Sequence, residues 1–202
     1  MGDEKEKIID FLVEANKLKD VKRTGWVALK IKNPEHVGDH VYSMALMASV
    51  LADKFKVNKK KLMEMILIHE LSEIYVGDIA TIYGSGTVHK TGFMYSLDKK
   101  GKINEFKGDK SKIEEDAMKK ILKSLPLFHR KKYYRLWREF EENKTRLAHA
   151  AHDLDRLDHS ILALLYRKRT KIKLDGFINV ENRLQTKYAK ELHKIIRKRF
   201  YK

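Results

Sequence analysis

The stretch Ile66-Leu67-Ile68-His69-Glu70-Leu71-Ser72-Glu73-Ile74-Tyr75-Val76-Gly77-Asp78 constrains this chain more than any other. Its apolar residues carry an imidazole and two carboxyl groups into what reads as a buried helix. Helical residues four apart share a face, so His69 and Glu73 are expected to point the same way, with Glu70 about 100° around. Burying three such groups costs several kcal/mol unless they are paired or hold a metal. The alternative is a helix with solvent-facing acids and a satisfied core histidine, and the spacing alone does not separate the two. It is not the zincin motif, which has His where this chain has Glu73.

The rest of the chain reads as helix after helix. Residues 4 to 19 place Ile8, Ile9, Leu12, Ala15 and Leu18 on one stripe. Asn33-Pro34 has the form of a helix start, with Asn as N-cap and Pro at the first helical position. The helix it predicts carries His40, Val41, Met44, Ala48, Leu51 and Phe55 inward. Asn58 caps the next, with Leu62, Met65, Ile66 and His69 facing in. Two antiparallel helices would bring His40 and His69 together, since one lies near the start of its helix and the other near the end. Ser111-x-x-Glu114 has the pattern of a capping box. Residues 145 to 168 read as one long helix carrying Asp155, Asp158 and His159 on one face, and a closing helix is expected from about Val180 to Lys202.

Between these helices, residues 82 to 110 form a turn-rich insertion. Phe93–Leu97 and Ile103–Phe106 flank a Lys-Gly turn and are expected to pair as a hairpin. Gly84, Gly86 and Gly92 suggest a phosphate loop only weakly, because no Gly-Lys-Ser/Thr ending follows.

Composition removes several function classes. With no cysteine there is no thiolate metal site, disulfide framework or thiol nucleophile. No run approaches the roughly 18 apolar residues of a membrane span, so a cytoplasmic protein without a membrane partner is expected. The length suits a single domain over residues 1 to 202. Of the net charge of +16, about +10 lies in residues 167 to 202, where 13 Lys or Arg face three acids. The segment from 170 to 202 is therefore a basic tail, which makes nucleic acid a conceivable but unfavoured partner. The apolar stripe of its helix would serve a homodimer or dock on its own core.

Two inward histidines, an acid beside one of them and a distant acid on a long helix suit a catalytic divalent ion with open positions. At this point the chain resembles the HD-domain phosphohydrolases, in particular their 5′-deoxynucleotidase-like branch. The resemblance rests on Arg23-Thr24-Gly25-Trp26, Asn33-Pro34-Glu35-x-Val37-x-Asp39-His40, His69-Glu70-x-x-Glu73, Gly77-Asp78-Ile79, Glu115-Asp116-Ala117-Met118 and Leu154-Asp155, in that order. It covers roughly residues 11 to 82 and 111 to 166. It implies an all-α fold, an HD-domain bundle of about six to seven helices with the insertion appended. It also implies one divalent metal ion (Mn, Co, Zn, Mg or Fe) held by His40, His69, Glu70 and Asp155. Glu73 would match the family's catalytic acid or water-positioning residue, and Asp78 the acid that assists at the leaving group or the bound water. Arg23 and Trp26 would match the pair that holds phosphate and sugar. The implied reaction is hydrolysis of nucleoside 5′-monophosphates, deoxyribonucleotides above all.

One position departs from the family pattern. The doublet is His-Asp in the family and His69-Glu70 here, and the extra methylene moves the carboxylate by about 1.5 Å. The helix or the rotamer has to adjust to bring it back. The rival reading is an HD scaffold without chemistry that binds nucleotides or nucleic acid.

Overall fold

The structure is a computed structural model, and residues 3–81, 93–170 and 172–200 are described. The three glycines at 84, 86 and 92 fall outside them. Among the described residues, seven helices are ten residues or longer: α1 (Glu4–Asn16), α3 (Val37–Phe55), α4 (Lys59–Ile68), α6 (Lys110–Leu122), α7 (Leu127–Glu142), α8 (Arg146–Arg169) and α10 (Lys187–Phe200). The short helices α2 (Thr24–Ala28), α5 (Glu73–Val76) and α9 (Asp175–Ile178) join them. The all-α expectation holds. No described helix is long and apolar enough to cross a membrane.

The core forms where α3, α4 and α8 press together with α7 and α10. Met44, Ala48 and Ala52 repeat every fourth residue of α3 and are fully buried. They face Leu62, Met65 and Ile66 of α4 and Ala150, Ala151, Leu154 and Leu157 of α8 within the same cluster. The alanines let the helix axes approach closely. This brings the first turn of α3, the end of α4 and the middle of α8 to one place.

The predicted hairpin is present as β2 (Met94–Leu97) and β3 (Ile103–Glu105), with Ser96 opposite Asn104. A strand from before the insertion, β1 (Ala80–Thr81), pairs with β2 and makes a three-stranded antiparallel sheet. Tyr95 and Ile103 pack it against Ala28 of α2.

Four boundaries differ from the sequence reading, each because of a hydrogen bond that the sequence does not announce. Helix α3 begins at Val37, not at Pro34. Residues 35–37 are drawn into an extended pairing with 21–23, through Arg23 N to Glu35 O (3.1 Å) and Val37 N to Val21 O (2.8 Å). Asn33 instead takes a left-handed turn with φ 54°. Helix α6 is capped by Asp109, whose carboxyl accepts from Lys112 N at 3.1 Å, while Glu114 turns to Lys110. The helix carrying His69 stops at Ile68, and Glu73 opens the separate α5 after turns that bond three residues apart.

The last boundary has the largest structural consequence. Helix α10 starts at Lys187 because the buried Asp153 accepts from Gln185 N (2.7 Å) and Thr186 N (2.8 Å). The chain before it, including α9, is thereby laid across the end of α8. Asp153→Ala leaves two donors without their acceptor and is expected to lose about 2–4 kcal/mol of stability, read by urea denaturation. A loss under about 0.5 kcal/mol would show that this carboxyl does not hold α10.

Candidate metal centre and active site

His40, near the start of α3, is fully buried and donates from Nδ1 to Asp158 Oδ2 at 2.7 Å. Its Nε2 lies 3.2 Å from Asp155 Oδ1 but is not aligned for a hydrogen bond. His69, the residue that ends α4, donates from Nδ1 to the carbonyl of Ile66 at 2.7 Å. A carbonyl only accepts, so Nδ1 carries the proton and Nε2 keeps its lone pair. That Nε2 is buried, 3.4 Å from Glu70 Oε1, and has no hydrogen-bond partner among the described residues. One donor atom from each of His40, His69 and Glu70 falls within 4.8 Å of the others. A second trio, Glu35, His40 and Asp158, meets the same distance, but two of its members, His40 and Asp158, are already bonded to each other.

Two converging imidazole nitrogens left without partners, with carboxylates beside them, fit a divalent cation of nitrogen and oxygen preference. The Asp158–His40 bond is the outer-shell support that orients such a histidine. Electrostatics agree. Burial and Arg23 push the His40 pKa down, yet Asp155 and Asp158 outweigh them and raise it to about 9. A proton on His40 thus stands where a cation would. Burial lowers the pKa of His69. Burial alone would raise Asp155, but His159, His40 and Arg23 hold it well below the usual carboxylate range.

The other candidate residues gather around this point. Glu73 is 4% exposed and its Oε2 has no hydrogen-bond partner among the described residues. Burial first, then Glu70 and Asp78, push its pKa well up. Asp78 accepts from Thr24 N at 2.7 Å through Oδ2, and its backbone carbonyl accepts from the Thr24 hydroxyl at 2.6 Å. These bonds dock β1 onto the start of α2. Arg23 is buried, with Nη1 3.6 Å from Glu70 Oε1, and its other terminal nitrogen donates to His159 Nε2. Trp26 is 1% exposed and donates from Nε1 to Glu35 Oε2 at 3.3 Å. Its ring packs against Phe177 of α9 with centroids 4.4 Å apart. The stacking face expected of Trp26 is therefore covered by Phe177.

A family model described as HD domain matches residues 15–196, nine-tenths of the chain. The chain belongs to the HD-domain family. The 5′-deoxynucleotidase HDDC2 of Danio rerio is 35% identical over 163 residues, covering 81% of this chain and 71% of that protein. The human 5′-deoxynucleotidase HDDC2 is 35% identical over 159 residues, covering 79% and 68%. Among solved structures, a conserved hypothetical protein from Pyrococcus furiosus superposes with a TM-score of 0.73 at 25% identity, covering 94% of this chain and 99% of that one.

HD domains are metal-dependent, and His69-Glu70 is the pair that the sequence resemblance sets at the family's doublet. The Glu70 carboxylate reaches both His69 and Arg23 despite its extra methylene. The turns that end α4 at Ile68 lie at this doublet. All eight residues singled out in the sequence stand at or around one cleft of about 250 Å³; Arg23, Trp26, Glu70, Glu73, Asp78 and Asp155 line it directly. His69 instead lines a second cavity, of about 380 Å³, together with Glu70, Asp155, Glu114 and Glu141.

Sequence reasoning left Asp158 and His159 without roles in this HD site. Their signal was present, since both follow Asp155 by one helical turn. Phe177 and Arg183 also line the cleft, and they come from the segment read as the start of the basic tail. No local pattern marks them.

Proposed function

We propose that this HD-domain protein is a metal-dependent phosphohydrolase that releases phosphate from nucleoside 5′-monophosphates, deoxyribonucleotides above all. The observation that carries the reading is the convergence of two partnerless imidazole nitrogens with Glu70 at the edge of a cleft holding Arg23, Glu73 and Asp78. The names of the curated relatives supply the substrate class and favour it over a nucleic-acid-binding scaffold.

His40, His69, Glu70 and Asp155 would hold the ion. Bound there, it supplies Lewis acidity that activates water and offsets phosphoryl charge. Arg23, fixed by His159 and Glu70, neutralises the phosphate dianion. Water attacks phosphorus, and its protons leave on the phosphate, which returns one to the proton donor; the P–O5′ bond breaks with its electron pair going to O5′, and O5′ takes a proton. Glu73, kept protonated by burial beside other acids, is placed to give that proton. Asp78 orients water or the leaving oxygen while bonded to Thr24. Trp26, backed by Phe177, walls the sugar.

The test is phosphate release from deoxy- and ribonucleoside 5′-monophosphates by metal-stripped protein, with Mn²⁺, Co²⁺, Mg²⁺ or Zn²⁺ restored separately. Metal-dependent release with a deoxyribonucleotide preference is expected. No release with any metal from folded protein would overturn the reading. Glu70→Asp in the same assay reports what the longer side chain does to metal preference.

A further inference from the structure

The proposed ligands stand between two cavities that differ in charge. Glu70 and Asp155 line both, while His69 lines only the second. The cleft that holds Arg23 and Trp26 is lined by four cationic and four anionic side chains, a balance that admits an anionic nucleotide. The second cavity is lined by four carboxyl groups, those of Glu70, Glu114, Glu141 and Asp155, against one ammonium, that of Lys110. His152 also lines it and donates from Nε2 to the Phe140 carbonyl at 3.0 Å. Burial lowers the pKa of this ring, so it adds no positive charge near neutral pH.

The lining of the second cavity runs from open to closed. Glu141, in the last turn of α7, is exposed, Glu114 of α6 is 8% exposed, and His69 is 3% exposed. Glu141 thus marks the mouth, and the buried Nε2 of His69 belongs to the closed end. Lys110 answers Glu114, with Nζ 3.4 Å from Oε1, and leaves the carboxyl groups in excess. Burial lifts the Glu114 pKa to about 7 against the pull of Lys110, and Glu141 and Glu70 add to the rise. Carboxyl groups that crowd one another in this way are relieved by a cation among them, and an anion would add to their repulsion. Among the described residues, neither Glu114 nor Glu141 belongs to a trio of donor atoms within 4.8 Å, so they form a route and not a second centre.

We propose that the second cavity is the entry port of the metal centre, through which a divalent cation reaches His69 and Glu70 past Glu141 and Glu114, while the nucleotide enters by the cleft of Arg23. This rests on the metal-dependent reading above and gives Glu114 and Glu141 a part in loading the ion, not in holding it. Its consequence is that ion and nucleotide need no fixed order of arrival.

The test is the rate at which Co²⁺ enters the metal-stripped full chain, read by stopped-flow absorbance in buffer alkaline enough to ionise Glu114. Combining Glu114→Gln with Glu141→Gln is expected to slow association about tenfold and to flatten its decline with added salt. Glu141→Gln alone, a change at the exposed mouth that leaves the core untouched, is expected to slow it about threefold. Charges along a path act on association and direct ligands on dissociation, so the dissociation rate is expected to stay within about twofold. Asp78→Asn removes a carboxylate that lines only the cleft and is expected to leave association within about twofold. An unchanged association rate in the double variant would overturn the port, as would an equal slowing by Asp78→Asn. A change confined to dissociation would overturn it too, by making Glu114 or Glu141 a ligand. Failure of the metal-dependent reading looks different, because the unaltered chain would then take up no Co²⁺ at all.

Discussion

His69→Ala is expected to release the metal and to lower kcat/KM by at least about a thousandfold. The reason lies in the atoms of that one ring. Nδ1 is committed to the Ile66 carbonyl, which leaves Nε2 as the only lone pair α4 aims at His40. Deleting it leaves one imidazole, and the remaining carboxylates would bind a cation with far less preference for nitrogen-seeking metals. The ring also packs edge-on against Phe140, with centroids 4.9 Å apart, so some stability goes with it. A cost of about 1–3 kcal/mol is expected, within what a folded domain tolerates. Metal content by elemental analysis, circular dichroism and phosphate release separate the two effects. A folded His69→Ala protein with undiminished turnover would sink the metal-centre assignment.

Glu73→Gln is expected to lower kcat by about 10²–10⁴-fold while leaving metal content as it was. The carboxyl is buried, one of its oxygens has no partner, and neighbouring acids hold its pKa well up. An amide of the same shape keeps the packing but cannot give up a proton. The stability change carries its own sign. A carboxyl whose folded pKa is raised favours the folded state while it is neutral, below the unfolded value of about 4.5, and that contribution is lost as pH rises. Gln never ionises, so near neutral pH the variant is expected to be at least as stable as the parent by thermal unfolding. Reduced stability at pH 7, or unreduced kcat, would each count against Glu73 as the proton donor.

The two predictions concern residues that were legible at different depths. His40 and His69 could be found from periodicity, because each closes an apolar stripe. Their partners could not. Asp158 shares a face with Asp155 in the sequence, yet its bond to His40 spans 118 residues of chain. Glu73 was assigned the right neighbourhood for the wrong local reason. It reaches the cleft from a separate short helix, not from one turn further along the helix that carries His69.

The sequence by itself determined the helical class, the inward faces, the lack of thiolate chemistry and the identity of the residues that the resemblance assigns as ligands. These follow from local patterns, since a 3.6-residue period decides which side chains a helix can bury. Only the tertiary structure decided which atoms meet. The pairing of residues 21–23 with 35–37 sets Arg23 and Glu35 beside the site, and Asp153 swings the chain before α10 across the cleft. That crossing brings Phe177 against Trp26 and sets Arg183 among the residues that line the cleft. Long-range hydrogen bonds of this kind leave no period in the sequence, because the partners are chosen by the folded surface and not by their neighbours along the chain.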